Sequence, residues 1–406
     1  MQGKNPFLNR VCAELRKPRP LETMPYTFRV ESGDGNPYAI LWFRTRGCKY
    51  DHRGECTMCN YGASTPVTPA DMVEYVRQGL VAINLAGDES TTLLVSPSGS
   101  MFDEWEVPAE ARRGIFALVG ATACNTFICE TRAEDLTAEA IQHYSLVLGK
   151  RTLYVEMGLE SANPWVLKYC VNKALALTKY SGAIQLLHAH QVNAIANVLL
   201  GPAFLTQREA IADTVYSVRW AFAQGIDKCV LFSAHVKRWT LLQWLWEHDL
   251  YTPPSLWSLV EVLRQLGPQL APRVTIAWYK VYTELEGIEA NILSSPTTCP
   301  VCLPHVMSLL DAYSDTSDFA IVEQLGAFRC TCHEAWYREA TAEGGNSITE
   351  RVASAYTRLG QGVLGLDWWK RHGSTVLQDI LLAPDIFQPD TEGHPSAMLT
   401  TQEGKG

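Results

Sequence analysis

Residues 38–62 read YAILWFRTRGCKYDHRGECTMCNYG. The first ten, Tyr38 to Gly47, are apolar and rich in aromatic residues, which is the pattern of a buried strand. A Gly-flanked polar loop follows at once and carries Cys48, Cys56 and Cys59 as C-x7-C-x2-C. Three thiolates leave a metal site one ligand short. A zinc ion would complete a tetrahedron with a fourth residue such as His52 inside the loop, whereas an iron–sulfur cluster on three thiolates keeps one iron open. Spacing alone does not separate these readings.

Working outward, similar short runs recur at Ser90 to Ser96, Thr126 to Glu130, Thr152 to Gly158, Val192 to Leu200 and Lys228 to Phe232. Helical stretches are expected between them at Pro69 to Ala86, Pro108 to Leu118, Tyr180 to His190 and Thr206 to Gln224. Strand and helix alternating about every 25 to 40 residues indicates parallel βα units. The fold class expected is therefore α/β, a partial (β/α)6 barrel of TIM type, with its chemistry at the C-terminal ends of the strands. The expected organisation is an N-terminal arm over residues 1–34, the barrel over 35–267, and a C-terminal region over 268–406 with a helical tail that frays from about Asp390.

That last region carries a second cysteine set, Cys299 and Cys302 as C-x2-C, then Cys330 and Cys332 as C-x-C after 27 residues. Four thiolates on two knuckles suffice for a closed tetrahedral zinc or for an auxiliary iron–sulfur cluster. Zinc in a structural role is the expectation, since a knuckle orders a segment whose own core is weak, and His305 and His333 are spare ligands. Cys12, Cys124, Cys129, Cys170 and Cys229 are scattered and read as core residues.

Composition narrows the function classes. The chain has 406 residues, 47% of them apolar, and 12 tryptophans, which describes a folded protein and excludes global disorder. Its formal charge of −9 disfavours unaided nucleic-acid binding. No apolar run is long enough to span a membrane and the first twenty residues lack a signal-peptide core, so a cytoplasmic location with no membrane partner is expected. No Walker loop or HExxH occurs.

The three-cysteine loop after the first strand resembles that of the radical S-adenosylmethionine (SAM) enzymes. The usual spacing there is C-x3-C-x2-C, and the longer first gap here resembles the branch containing the Elongator catalytic subunit and archaeosine synthase. SGSMFDEWEVP from Ser98, ETRAEDL from Glu130, VEMGLES from Val155, RWTLLQWLW from Arg238, YTPPSLWSLVEVL from Tyr251 and CTCHEAW from Cys330 resemble the archaeosine synthase radical-SAM subunit, in order, over roughly Gly35 to Trp336. RWTLL departs from the family's GTL-type string.

The resemblance implies a [4Fe–4S] cluster on Cys48, Cys56 and Cys59 that cleaves SAM to a 5′-deoxyadenosyl radical, which abstracts hydrogen from the substrate. It implies SAM contacts from Ser98, Gly99, Ser100, Glu130, Arg132, Glu160 and Ser161, with His235, Lys237 and Arg238 toward a polar substrate or on the solvated rim. Ion pairing of Arg132 with Glu134 or Asp135 and helix capping by Ser161 are the rival readings of those two residues. The resemblance names no catalytic side chain. It implies a modified, lysine-bearing 7-deazaguanine in tRNA as substrate, with a partner subunit supplying the RNA grip, and an electron donor such as flavodoxin or ferredoxin. A relative acting on a small molecule or peptide is the alternative, sulfur transfer is another if the second site is iron–sulfur, and a non-catalytic zinc-stabilised scaffold is the reading from a different class.

Overall fold

A computed structural model describes residues 4–17, 19–33, 36–62, 64–84, 90–281, 291–342 and 345–382. The expected frayed tail from Asp390 and the junction at residues 34 and 35 lie outside these. Among the described residues ten strands occur: β1 (Tyr26–Gly33), β2 (Asn36–Phe43), β3 (Thr92–Ser96), β4 (Thr126–Thr131), β5 (Thr152–Glu160), β6 (Asn193–Leu200), β7 (Lys228–Ser233), β8 (Val236–Lys237), β9 (Val274–Ala277) and β10 (Ile292–Ser294). Eight form one sheet in the order β1-β2-β3-β4-β5-β6-β7-β9. The β1–β2 pair is antiparallel and every later pair is parallel, so the sheet is a curled half-barrel of the parallel βα units expected.

The six expected strands are all present. β9 is a seventh parallel strand beyond Gly267: its four residues pair with Cys229 to Phe232 of β7, and the sheet therefore runs past the boundary read from sequence. Four residues after a proline carry too little apolar run to mark a strand in isolation. The core likewise crosses Gly267, since Val306, Leu310, Tyr313, Val322 and Leu325 pack with the outer face of the barrel.

Helices close where local chemistry stops them. Pro69–Ile83 starts at a capping box between Thr68 and Asp71 and ends at Asn84 in the left-handed region, three residues short of the expected Ala86. Gln207–Ala223 starts at a second box between Thr206 and Glu209.

The N-terminal arm opens with a helix from Pro6 to Leu15, capped by Asn5, and its end is β1, which joins the barrel sheet. Its Phe7, Leu8, Val11 and Cys12 are buried in a second apolar cluster with Tyr50, Cys56, Tyr169 and Tyr356, at the mouth of the barrel. The helix Ile348–Leu359 packs into the same cluster from the far end of the chain. Inside the barrel, Ile40, Leu94, Ile128 and Ile195 form a separate apolar layer, and the cavity they line continues past it to Tyr38, Thr92 and Thr126.

Candidate functional site

Alternation along each strand sends every second residue into the barrel. The inward set of β2 to β7 includes Trp42, Glu130, Glu156, Glu160, Asn197 and Val230, which with Cys48, Cys56 and Cys59 line a cavity of about 460 Å³. The cysteine loop therefore caps the C-terminal ends of the strands, where such barrels keep their chemistry.

The loop is held from three directions. Gly47 and Gly54 have φ of 90° and 77°, and a Cβ on them would lie 2.8 Å from the Gly62 backbone and 2.1 Å from the Asn9 carbonyl, so no larger residue fits. Cys48 N–H donates to Tyr61 O at 2.9 Å, and Cys56 N–H to Asn172 O at 3.0 Å. From the N-terminal helix, the Arg16 guanidinium donates to the carbonyls of Asp51, Glu55, Cys56 and Cys59 at 3.0, 2.7, 2.8 and 3.1 Å. Asp51, 2% exposed, joins Arg16 at 2.8 Å and Arg19 at 2.6 Å.

Burial pushes the thiols of Cys48 and Cys59 up to about 12 and about 11 and that of Cys56 well up, so as free thiols they stay protonated. Bound metal reverses that balance by supplying positive charge. Among the described residues, three or more ligand atoms within 4.8 Å of one another occur at Cys299, Cys302, Cys330 and Cys332 and not at this loop. The three sulfurs thus do not converge on one ion. Three soft donors spread round an open cavity fit a larger group, an iron–sulfur cluster, better than a single zinc. His52 is exposed, with Nε2 at 3.0 Å from Arg46 O and its ring against Trp105, and does not join the cysteines.

The other expected site residues separate into two groups. Ser98, Gly99, Glu130, Arg132 and Glu160 line the cavity; Ser100 and Ser161 do not. Ser100 is buried, with its hydroxyl 2.6 Å from Asp135 and 2.7 Å from Thr131. Ser161 donates to Asp213 at 2.9 Å, and the following helical turn is capped by Asn163 instead. Ser98 sits at φ 53° beside Gly99, whose missing Cβ would strike Glu106 Oε2 at 2.1 Å.

Arg132 is saturated by protein carboxylates: Glu106 at 2.5 Å, Asp103 at 2.7 Å and Asp135 at 2.9 Å, with Cys48 Sγ at 3.9 Å. The ion-pair reading thus holds for Asp135, while Glu134 stands at 3.8 Å. Glu160 pairs with buried Lys173.

Glu106, Glu156 and Asn197 had no assigned role in the sequence. Fully buried Glu106 accepts from Lys49 N–H at 2.7 Å, Ser100 N–H at 2.6 Å and Arg132, tying the cysteine loop to the β3 and β4 loops. Glu156 and Asn197 face the cavity, and period-two counting back from Glu160 would have found Glu156. His235 is buried between Ser295 Oγ at 3.0 Å and the Trp278 carbonyl, and burial pushes it down to about 4, so it is neutral. Lys237 lines the cavity 3.0 Å from the Tyr61 hydroxyl, and Arg238 is exposed.

At the second cysteine set, four sulfur contacts run between 3.4 and 3.5 Å. A tetrahedral ion with Zn–S bonds of about 2.3 Å separates its sulfurs by roughly 3.8 Å, so the four residues could hold one metal ion. Trp257 Nε1 donates to Cys332 at 3.3 Å and stacks on His333, the kind of outer contact that orients a ligand. His305 and His333 are outside the converging group. Cys12, Cys124, Cys129, Cys170 and Cys229 are all buried. Among the described residues no helix is long and apolar enough to cross a membrane.

No family model matches the chain. The archaeosine synthase subunit beta of Methanosarcina acetivorans is 28% identical over 339 residues, 81% of this chain and 94% of that protein. That of Thermococcus kodakarensis is 26% identical over 322 residues, 77% of this chain and 95% of that protein. Among solved structures, Methanocaldococcus infernus Elp3 lacking its N-terminus superposes with a TM-score of 0.44 at 17% identity, covering 65% of this chain and 60% of that one. Methylornithine synthase superposes with a TM-score of 0.42 at 13% identity, covering 62% and 68%. Proteins named archaeosine synthase subunit beta thus align with about four fifths of this chain, whose three cysteines cap a parallel half-barrel.

Proposed function

We propose that this chain is the radical-generating subunit of a two-component enzyme that modifies a 7-deazaguanine in tRNA, with chemistry like that of archaeosine synthase. The observation that carries the reading is the alignment with two proteins named archaeosine synthase subunit beta, which spans at least 94% of each of them. Cys48, Cys56 and Cys59 would hold a [4Fe–4S] cluster, and the adjoining cavity SAM; when bound, these supply one-electron cleavage and a 5′-deoxyadenosyl radical able to abstract hydrogen.

The chain's own residues account for containment and positioning. Ile40, Leu94, Ile128 and Ile195 give the cavity an apolar belt. Ser98 and Gly99 let the backbone come close beside Cys48, and Lys173 holds Glu160 at the rim. Arg132, neutralised by Asp103, Glu106 and Asp135, fixes the approach to Cys48 and does not offer a free fork to a ligand carboxylate. We assign zinc to Cys299, Cys302, Cys330 and Cys332, on the size of the sulfur tetrahedron. The net charge of −9 supports an RNA-gripping partner, since phosphate binding rests on cationic side chains.

The test is anaerobic reconstitution with iron and sulfide, metal analysis, and dithionite reduction with SAM in the presence and absence of partner and tRNA. About four irons and one zinc per chain with 5′-deoxyadenosine formed are expected. Zinc alone with no SAM cleavage would refute the radical reading. Cleavage coupled to a small molecule and indifferent to tRNA would refute the substrate.

A further inference from the structure

We propose that a second, smaller cavity beside the first is a subsite for the planar heteroaromatic ring of the substrate, with Trp239 as one of its walls. Assigning that ring to the substrate rests on the functional reading above; the subsite itself rests on the lining of the pocket.

The sheet begins at β1 and ends at β9, so the half-barrel leaves a seam between its two edges. Trp42 of β2 and Trp278, the residue after β9, approach across it with ring centroids 6.3 Å apart. A pocket of about 270 Å³ is lined from one side of the seam by Tyr26, Thr27 and Trp42 and from the other by Lys237 and Trp239. It joins the main cavity at Trp42, Tyr61, Ser98 and Lys237, which line both. Gly47 and Asn60, next in the chain to Cys48 and Cys59, also line it, so an occupant sits beside the cysteine loop. Pockets for drug-sized molecules begin at about 300 Å³, so this one suits a single ring system.

The walls ask for a flat, uncharged ligand. Tyr26, Trp42, Tyr61 and Trp239 are each half-buried, which leaves aromatic surface on which a base can stack. The charges around the pocket are engaged by the protein: Arg19 with Asp51, Arg44 with the Tyr75 hydroxyl, Lys237 with the Tyr61 hydroxyl, and Glu22 with the N–H groups of Thr23 and Met24. Lys237 Nζ has further N–H donors beyond the one given to Tyr61, and these match a carbonyl on the ring.

Trp239 is the feature particular to this chain. It sits at φ 61°, a left-handed conformation that is strained for a bulky side chain. It falls in RWTLL, at the position where the GTL-type string has glycine, the residue that adopts this conformation without steric cost. An indole kept there against local strain is accounted for by a ligand that stacks on it. The main cavity, which holds the cysteines and which Trp239 does not line, is the one assigned to SAM, so the ring belongs to the substrate.

The experiment is calorimetric titration of the anaerobically reconstituted full chain, with and without SAM, using three probes: 7-deazaguanine, indole as an aromatic ring without a carbonyl, and piperidin-2-one as a non-aromatic cyclic amide. Wild type is compared with Trp239→Gly, Trp239→Phe and Lys237→Met, each checked for folding by thermal unfolding. Trp239→Gly relieves the strained position and is expected to fold. 7-Deazaguanine is expected to outbind piperidin-2-one on wild type, to bind Trp239→Gly about tenfold more weakly, the loss of one modest base stack, and to recover on Trp239→Phe. Lys237→Met should narrow the preference for 7-deazaguanine over indole. SAM should bind wild type and Trp239→Gly equally and should not displace 7-deazaguanine; a parallel loss of SAM affinity with displacement would assign the pocket to the adenine of SAM and overturn the proposal. Equal binding of 7-deazaguanine to wild type and Trp239→Gly, or no binding of either aromatic probe, also overturns it. Indole binding that depends on Trp239, with no binding of 7-deazaguanine, would keep the aromatic subsite and defeat the 7-deazaguanine reading instead.

Discussion

Replacing Arg16 tests how the N-terminal helix controls the cysteine loop. Its guanidinium donates to four loop carbonyls, two of them on Cys56 and Cys59, and pairs with Asp51, which is 2% exposed. Hydrogen bonds to a charged group contribute about 1.5–3 kcal/mol each, but the four are not additive, because the loop relaxes once they are gone. A better guide is the loss of one partner from a buried ion pair, which costs about 3–5 kcal/mol. Arg19 still reaches Asp51 at 2.6 Å, so the lower end applies to the charge and the remainder to the orphaned carbonyls. Arg16→Ala is therefore expected to lose about 3–4 kcal/mol in urea unfolding of the apo protein, and to shed iron on gel filtration after reconstitution. Arg16→Lys keeps the charge without the fork and should fall between. An Arg16→Ala protein within about 0.5 kcal/mol of wild type, with full iron retention, would refute the view that this side chain builds the loop.

Cys48→Ala should abolish 5′-deoxyadenosine formation and leave the far-UV circular dichroism unchanged; persistent cleavage would remove that residue from the cluster. Cys299→Ala should lower the bound zinc by about one equivalent and destabilise the segment carrying the helices Leu303–Thr316 and Thr331–Thr341, seen as faster proteolysis there; unchanged zinc content would count against the four-thiolate site. Asp213 is buried with Ser161 as its hydrogen-bond donor, and burial raises it from 3.8 to about 7. The folded state thus holds a proton that the unfolded state has lost between those values, so stability falls as pH rises through that window, and the full cost, up to about 4 kcal/mol, is present above it. Asp213→Asn should be more stable than wild type at pH 8 and nearly equal at pH 4; a gain that does not depend on pH would contradict this account.

The sequence revealed the features whose signal is local. Strand runs of apolar residues located β2 to β7, and Thr206 with Glu209 marked a helix start, because both patterns lie within a few residues. Cysteine pairs are equally local, and the set from Cys299 to Cys332 does converge. What stayed hidden depends on partners distant in the chain. Arg16 acts on carbonyls some forty residues away, and Glu106 lies within a string already singled out, yet its task of joining Lys49, Ser100 and Arg132 exists only once three loops meet. Ser100 and Ser161 went the other way: small polar residues after a strand fit a ligand pocket in sequence, but here Asp135 and Asp213 take their hydroxyls.

The two cysteine sets show why residue type alone does not fix the chemistry. At the C-terminal set, helix starts at Cys302 and Cys330 draw the sulfurs to within 3.4–3.5 Å contacts, the size of one ion. At the barrel mouth, the seven-residue gap is filled by the short helix Lys49–His52 and the Gly54 turn, which hold Cys48 apart from Cys56 across an open cavity. The same thiol is thus presented as a closed structural tetrahedron in one place and as an incomplete shell facing a binding cavity in the other. That difference follows from the backbone between the cysteines and from Arg16 and Glu106, which hold that backbone in place. It also explains why lengthening the first gap does not by itself remove the site: the inserted residues are built into a helix anchored at both ends, so the sulfurs keep facing the cavity.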